Sequence, residues 1–280
     1  MLIEQTLLGV VNKMDNAVKR CIEFQNKDKE RITLLAFSGG KDSVAAYLIA
    51  VESGIKFKPV YSPTSVDPPE VINFIRYEFN IWAKEKGYPE VEILKYKKFS
   101  KRRGRGNLEG KEITMWTLLR NRALPPTRRM RYCCDELKER TGDIGDTVFT
   151  GVRWEESNSR RQQSMVTFYK GKIIVRIIVD FTTEEVWELI KLKNAPYCKK
   201  YDEGWERLGC IGCPLSTNQV KELESYPKYK ENYIRAFDGM IEYRKANGME
   251  TEWKTGLDIY NWWIGEVKKE KAPFTAHLGG

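Results

Sequence analysis

A glycine-rich run that joins an apolar segment to a helical pattern is the part of the sequence best suited to bind phosphate. Residues 31–37 (RITLLAF) are typical of a short buried strand, and residues 43–51 (SVAAYLIAV) of a helix. The residues at this junction are Ser38, Gly39, Gly40, Lys41, Asp42 and Ser43. Glycines let the backbone approach a phosphate closely, and the unpaired first amides of a helix favour an anion. Lys41 adds a full positive charge, so this phosphate loop (residues 38–43) is predicted to bind a polyphosphate.

Two better-known phosphate-binding motifs are excluded at this position. A P-loop of the form G-x-x-x-x-G-K-[ST] requires glycine at 35 and Ser or Thr at 42, where the chain has Leu35 and Asp42. The dinucleotide fingerprint G-x-G-x-x-G is absent as well. The alternative is that the double glycine only forms a tight turn. The complete SGGKDS run between a strand and a helix favours the phosphate site.

Four of the six cysteines are spaced so that they could ligate one metal centre. They are Cys133, Cys134, Cys210 and Cys213. A C-x-x-C turn directs two thiolates at one ion or cluster, and adjacent cysteines suit several irons better than one tetrahedral zinc. A zinc site and ordinary buried cysteines are the alternatives. Cys198 is an alternative ligand, in which case one thiol of the adjacent pair could serve sulfur transfer, and Cys21 is expected in a core.

The chain is basic, with a net charge of +9, and the excess is clustered. Residues 95–106 (KYKKFSKRRGRG) hold seven lysines or arginines. A second group follows, made of Arg120, Arg122, Arg128, Arg129 and Arg131. These residues form either a solvated face or an anion site for nucleic acid or a phosphorylated or sulfated small molecule. The basic region 95–131 is therefore a candidate nucleic-acid surface.

Alternating strand and helix patterns surround these residues. Strand patterns occupy residues 31–37, 57–61, 91–94, 147–150 and 173–179. Helical patterns occupy residues 1–20, 43–51, 67–87, 113–119, 132–140, 226–247 and 257–269, and the capping box Thr182-x-x-Glu185 begins one more. Asp67 is expected to cap the helix that follows it, with proline in the first turn. The alternation predicts an α/β fold with a doubly wound, mainly parallel sheet.

Strand patterns stop near Asn194, which predicts two domains. Residues 1–193 are expected to form the nucleotide-binding domain, and residues 194–280 a helical, cysteine-bearing extension. Tyr260, Trp262 and Trp263 are expected in a core or a homo-oligomer contact, with stacking on bases as the alternative. The sequence has no apolar run of about 18 residues and no signal-peptide cleavage site, so no membrane span and a cytoplasmic location are expected. His277 is the sole histidine, which excludes a Cys/His zinc finger.

The phosphate loop resembles the pyrophosphatase loop of the N-type ATP pyrophosphatase and PAPS reductase superfamily. Other segments resemble the PAPS-reductase-like branch in order and spacing, across most of the chain. They are residues 64–70 (TSVDPPE), 131–134 (RYCC), 150–153 (TGVR) with Glu156, Ser157, Arg160 and Arg161, and 209–214 (GCIGCP). The resemblance implies a Rossmann-like sheet with ATP or an adenylyl sulfate at the carboxyl ends of its strands. It also implies that Gly151 and Arg153 contact the nucleotide from a neighbouring strand end.

The cysteine pattern is similar to that of iron–sulfur adenylyl-sulfate reductases and of the DNA phosphorothioation ATPase, which implies a 4Fe–4S cluster. The sequence departs from the reductases because it has no Glu-Cys-Gly-Leu-His motif and no cysteine after Cys213. We therefore expect an enzyme with ATP pyrophosphatase chemistry. It would bind Mg²⁺-ATP, adenylate an acceptor such as nucleic acid with Lys41, Asp42 and Arg153 as catalytic residues, and accept sulfur from a donor protein. The alternatives are a PAPS or APS reductase, with Cys198 or another protein as nucleophile, and a non-catalytic nucleic-acid-binding regulator.

Overall fold

The structure, a computed structural model, describes residues 2–6, 9–28, 30–100 and 108–265. These residues form two units that interleave along the chain. The first unit comprises the described residues of Met1–Ser62, Pro68–Lys95 and Arg140–Leu208, and the second those of Pro63–Asp67, Tyr96–Glu139 and Gly209–Gly280. The predicted division at residues 193 and 194 stays a prediction.

A six-stranded sheet in the first unit confirms the predicted α/β class. The strands are β1 (Ile3–Thr6), β2 (Gly9–Asn12), β3 (Thr33–Ala36), β4 (Phe57–Tyr61), β5 (Glu92–Ile93), β6 (Thr147–Thr150), β7 (Val166–Tyr169) and β8 (Lys172–Arg176). The sheet has the order β5-β4-β3-β6-β8-β7, and β1 and β2 form a separate hairpin. All neighbours in the sheet are parallel except β7 and β8. Every predicted strand is present, and β7 is one that the sequence did not predict.

The helices follow the strands as parallel connections require. They are α1 (Lys13–Phe24), α2 (Lys41–Glu52), α3 (Pro69–Asn73), α4 (Asn80–Glu85), α5 (Met115–Leu119), α6 (Asn158–Arg161), α7 (Thr183–Leu192), α8 (Gln219–Ser225), α9 (Pro227–Ala246) and α10 (Gly256–Ile264). Phe74–Phe79 and Cys134–Lys138 are π-helical, and Trp154–Glu156 and Lys199–Tyr201 are 3₁₀ turns. None of the described helices is long and apolar enough to cross a lipid bilayer.

The core of the first unit surrounds α2. Every residue of this helix from Ser43 to Ala50 is buried, so the helix lacks a polar face over that length. Leu35 and Phe149, on neighbouring strands, are fully buried in the same core. A buried side chain of that size stabilises the fold by roughly 1.5–3 kcal/mol, so the packing holds the start of α2 at a fixed place beside the sheet.

The amino-terminal segment differs from its prediction. The sequence predicted one amphipathic helix over residues 1–20, whereas the structure has the β1–β2 hairpin followed by α1. The helix begins after Asn12 because the Asn12 side chain accepts hydrogen bonds from the Met14 and Asp15 amides. Cys21 is fully buried, which confirms its prediction as a core residue.

Asp67 does not cap the helix that follows it. The N-cap of α3 is Pro68, and no side chain makes a capping hydrogen bond there. Pro68 and Pro69 have no backbone N–H, so they offer no donor to a cap. The Asp67 carboxylate instead accepts the Thr64 N–H at 2.6 Å. The predicted capping box of α7 is confirmed, with Thr182 and Glu185 bonded reciprocally.

The second unit is helical in its described part and has an aromatic core. Tyr233 and Phe237 on α9 pack against Trp263 on α10, with ring centroids 4.8 and 5.5 Å from it. The indole N–H of Trp263 donates to the Pro126 carbonyl at 2.7 Å. The predicted core role is therefore confirmed for Tyr260 and Trp263, while Trp262 is only partly buried. Residues 266–269 of the last predicted helix lie outside the described residues.

Candidate nucleotide-binding site and cysteine cluster

The phosphate loop follows β3, the strand at which the order of the strands in the sheet reverses. It connects the end of β3 to α2, and β4 and β6 lie on opposite sides of β3. Ala36 pairs with Thr150, so the loop and Gly151 follow directly from neighbouring strand ends. Crevices at such switch points are where ligands bind in open α/β sheets. The structure thus brings together the two parts of the site that the sequence placed more than a hundred residues apart.

Backbone donors are available at the loop. In the described part of the chain, the N–H groups of Gly39 and Asp42 have no hydrogen-bond partner. The N-cap of α2 is Gly40, which supplies no side-chain oxygen to the first turn. Gly39 has φ +76°, a left-handed conformation that favours glycine. Unpaired amides at the start of a 12-residue helix form a nest for an anion.

Lys41 places its ammonium beside this nest. The side chain is buried, and its Nζ lies 3.4 Å from Asp42 Oδ2 and 3.3 Å from the Glu206 carbonyl oxygen. Ser43 Oγ donates to the Gly40 carbonyl at 2.8 Å. Ser38 Oγ donates to Ser43 Oγ at 3.2 Å. The lysine charge is thus held close to the loop.

Tyr201 is a member of the site that the sequence did not predict. Its hydroxyl oxygen accepts the Lys41 backbone N–H at 2.9 Å, and its ring centroid lies 5.6 Å from Lys41 Nζ. Burial raises the pKa of Tyr201 above its ordinary value, so the phenol stays neutral and keeps its proton. The hydroxyl therefore takes one of the amide donors that a phosphate would use.

Gly151 is required for close packing between a strand end and a helix start. A Cβ at this position would lie 2.4 Å from the Asp42 carbonyl oxygen and 3.0 Å from the Ser43 nitrogen. Both are backbone atoms that cannot move independently of α2. Only glycine lets the end of β6 contact the first turn of α2.

Arg153 is buried and bonded to the protein, with 2% of its surface exposed. Nε donates to Asp42 Oδ1 at 2.7 Å, and Nη1 donates to Glu155 at 2.8 Å and to the Phe181 carbonyl at 3.0 Å. Nη2 donates to Thr183 Oγ1 at 3.2 Å. Four of the five guanidinium N–H groups thus have protein acceptors. Arg153 holds the Asp42 carboxylate, and the predicted contact with a nucleotide stays a prediction.

The cysteine pair of the second unit lies at the start of a π-helical turn. Arg131 Nη2 donates to Cys134 Sγ at 3.6 Å. A hydrogen bond from the Cys133 thiol lowers the pKa of Cys134 to about 6, and the Arg131 and Lys138 charges act in the same direction. Cys133 keeps its proton, because that hydrogen bond and burial raise its pKa.

The C-x-x-C turn lies in the same unit. Cys210 is buried, its thiol donates to Thr64 Oγ1 at 3.4 Å, and burial raises its pKa to about 11. The Cys213 amide donates to the Cys210 carbonyl at 3.2 Å, which closes the turn. Glu222 holds the turn from outside by accepting the Gly212 amide at 3.0 Å.

The four predicted ligands share one neighbourhood of the second unit, and their role as metal ligands stays a prediction. Cys134, Cys210 and Cys213 each raise the pKa of Cys133 by their charge, so all four thiols lie within electrostatic range. Among the described residues, no three cysteine, histidine or acidic side chains are placed to hold a metal ion. An all-thiol donor set beside arginine and lysine suits a sulfur-ligated centre. Cys198 is buried in the core of the first unit.

Part of the basic region is described. Residues 101–107, which carry much of its charge, lie outside the described residues. Arg122 is bound within the second unit, to Glu136 at 3.5 Å and over the Tyr132 ring at 4.8 Å. Arg128 and Arg129 are exposed and line a groove.

Comparison with known proteins identifies the family of this sequence. The model of the phosphoadenosine phosphosulfate reductase domain matches residues 32–216, which include the phosphate loop, Gly151, Arg153 and the four predicted ligands.

Individual relatives are more distant. An uncharacterized protein of Methanocaldococcus jannaschii is 25% identical over 264 residues, covering 87% of this chain and 49% of the relative. An adenosine 5'-phosphosulfate reductase of Oceanobacillus iheyensis is 32% identical over 75 residues, 26% of this chain and 30% of its own. A phosphate complex of phosphoadenylyl-sulfate reductase from Candida auris is 14% identical, with a TM-score of 0.44 over 74% of this chain and 97% of its own. The chain thus spans about half the length, or less, of the curated relatives it matches.

Proposed function

This chain belongs to the phosphoadenosine phosphosulfate reductase domain family, and from that premise we propose that it is an ATP pyrophosphatase that adenylates an acceptor. The observation that carries the proposal is the phosphate loop. Its two unpartnered amides, the buried Lys41 ammonium and the start of α2 form an anion site at the switch point of the sheet. Such a site suits the triphosphate of ATP.

The proposed reaction transfers AMP. An oxygen of the acceptor attacks the α-phosphorus of Mg²⁺-ATP, the bond from that phosphorus to the bridging oxygen breaks, and pyrophosphate leaves with the electron pair. Lys41 and the loop amides stabilise the negative charge that develops on the leaving phosphates. Asp42 is held by Arg153, so these two residues keep the first turn of α2 in position. Gly151 lets the neighbouring strand end lie against that turn.

The second step we propose is sulfur transfer to the adenylated acceptor. The outer sulfur of a persulfide on a donor protein attacks the activated atom, the bond from that atom to the AMP oxygen breaks, and AMP leaves with the electron pair. A second thiol of the donor protein then attacks the inner sulfur of the resulting disulfide, which releases the thiolated acceptor and leaves the donor protein oxidised to a disulfide. The thiolates of Cys133, Cys134, Cys210 and Cys213 would hold a 4Fe–4S cluster, which supplies electron-transfer or sulfur-binding chemistry when bound. Arg131 and Lys138 balance the negative charge of the thiolates.

We further propose nucleic acid as the acceptor. The support is charge: the exposed Arg128 and Arg129 of the basic region make no ion pair among the described residues. Cations that no protein carboxylate neutralises attract the phosphate backbone of nucleic acids.

Product analysis tests the proposal. Anaerobically purified protein is given Mg²⁺-ATP with and without DNA or RNA, and AMP and pyrophosphate are measured. We expect pyrophosphate release that rises with nucleic acid and is lost in Lys41→Ala. Lys245→Ala, which removes an exposed lysine of the second unit, is the matched control and should retain activity. Absence of ATP turnover under all conditions would refute the proposal.

Sulfonucleotide reduction is the second candidate. It is favoured by the family match and by the short region shared with the Oceanobacillus iheyensis reductase. Release of sulfite from PAPS or APS with a thiol reductant, without pyrophosphate release from ATP, would establish it. Nucleic-acid affinity that needs neither ATP nor Lys41, without turnover of any nucleotide, would instead indicate a regulator.

A further inference from the structure

A groove of about 1020 Å³ lies within the second unit. We name it the basic groove. It is lined by residues 124 and 126–130, by residues 214 and 216–221 with Glu224, and by the end of α10. Its volume is at the upper limit of ordinary ligand pockets, so it could hold more than one nucleotide-sized group. Pro214, which lines it, directly follows Cys213 in the chain.

The groove carries unneutralised positive charge. Among its described lining residues, three are cations, Arg128, Arg129 and Lys221, and Glu224 is the sole acid. In the described part of the chain, the side chains of Arg129 and Lys221 make no hydrogen bond or ion pair, and both residues are exposed. Among the same described residues, Arg128 makes one side-chain hydrogen bond, from Nε to the Pro214 carbonyl at 3.2 Å. Most of the guanidinium and ammonium donors are thus free for an anionic ligand.

The wall beside these cations is apolar and aromatic. Trp262 is half-buried, and its ring rests against Trp253 with centroids 5.3 Å apart. Met130 lies on the same groove, and Asn218 contributes a polar side chain. A fixed indole next to free cations matches a ligand that has both a flat ring and phosphates. That combination is typical of sites that bind single-stranded nucleic acid.

We propose that the basic groove binds a single-stranded segment of nucleic acid. Its phosphates contact Arg128, Arg129 and Lys221, and one base stacks against Trp262. A single strand fits because the bases of a duplex already stack on each other and present no free face. The inference deepens the proposed function by giving the acceptor a binding site, and it rests on that function only for the acceptor role.

The test measures binding without ATP. A labelled single-stranded oligothymidylate is titrated against the full chain by fluorescence anisotropy at several salt concentrations. Each phosphate contact on a single strand contributes about 0.7 to the slope of log K against log salt. Losing two contacts in Arg128→Ala/Arg129→Ala should make this slope shallower by about 1.4, which, with unchanged affinity at 1 M salt, weakens binding about 25-fold at 0.1 M.

Three further variants separate the groove from general charge and test the stacking of a base. Arg235→Ala/Lys245→Ala removes the same charge from exposed positions of the second unit outside the groove, and should weaken binding less than threefold or so. Trp262→Leu should lose about tenfold in affinity for the normal strand and little for an abasic strand, while Trp262→Phe keeps the preference for bases. Circular dichroism checks that each variant folds.

The outcomes are decisive in both directions. Equal losses in the two double variants would overturn the proposal, and so would wild-type affinity in Arg128→Ala/Arg129→Ala. Tight binding of polyglutamate at the groove would assign it to an acidic peptide instead. The binding measurement contains no ATP. Failure of pyrophosphate release in the product analysis would therefore refute the proposed function and leave the groove assignment intact.

Discussion

Replacing Arg153 with alanine should destabilise the first unit even when no nucleotide is bound. The guanidinium is almost fully buried and donates to Asp42, Glu155, Thr183 and the Phe181 carbonyl. Removing one partner of a buried ion pair lowers the free energy of unfolding by about 3–5 kcal/mol. The Asp42 and Glu155 side chains are 23% and 44% exposed, so water can partly replace the arginine. The lower end of the range, about 3 kcal/mol, is therefore expected.

Hydrogen exchange of the α2 amides measures this loss locally. A decrease of about 3 kcal/mol corresponds to exchange roughly a hundredfold faster, since 1.4 kcal/mol is a factor of ten. Arg153→Lys should recover little, because an ammonium cannot reproduce the planar fork of donors. Arg160→Ala is the matched control: this arginine pairs with Glu156 on a partly exposed helix, and its loss should cost under about 1 kcal/mol.

One result would refute the reasoning. If Arg153→Ala leaves exchange of the nucleotide-free protein unchanged but weakens ATP binding, then Arg153 acts as a phosphate ligand, as the family resemblance implied. Loss of stability in the nucleotide-free protein identifies it as the residue that positions Asp42.

Three other perturbations address the two sites. Gly151→Ala should displace the first turn of α2 and cost about 1–3 kcal/mol, with nucleotide affinity falling as well, in thermal unfolding and ATP titration. Tyr201→Phe should strengthen binding of inorganic pyrophosphate, measured by calorimetry, because the amide that the hydroxyl now occupies becomes available to the anion. Cys210→Ser should lower the iron and sulfide content of anaerobically purified protein, whereas Cys198→Ser should leave it unchanged, since Cys198 is buried in the core of the other unit.

The controls follow from the same structure. A Cβ added at Gly239 would lie 2.7 Å from Arg120 Cγ, a side-chain atom rather than a backbone atom, so Gly239→Ala should cost less than Gly151→Ala. Weaker pyrophosphate binding in Tyr201→Phe would show that the phenol donates to the phosphate instead of blocking it. Unchanged iron content in Cys210→Ser, or zinc in its place, would contradict the proposed cluster.

The sequence was sufficient for features whose signals are local. The strand-to-helix turn at residues 38–43 could be placed because its glycines follow an apolar strand pattern and precede a helical pattern within a short stretch of chain. The capping box of α7 was predicted for the same reason, since its two partners are three residues apart. Strand β7 was missed because its residues are half-buried or exposed at the sheet edge, so they carry little hydrophobic pattern.

The tertiary structure decided what the residues at the site contact. Tyr201 reaches the Lys41 amide across 160 residues, and Arg153 reaches Asp42 across 111. Nothing in the local sequence distinguishes an arginine that binds a phosphate from one that holds a carboxylate. That choice depends on burial and on which acceptors the folded chain brings within about 3 Å of the guanidinium, and residues distant in sequence supply most of those acceptors.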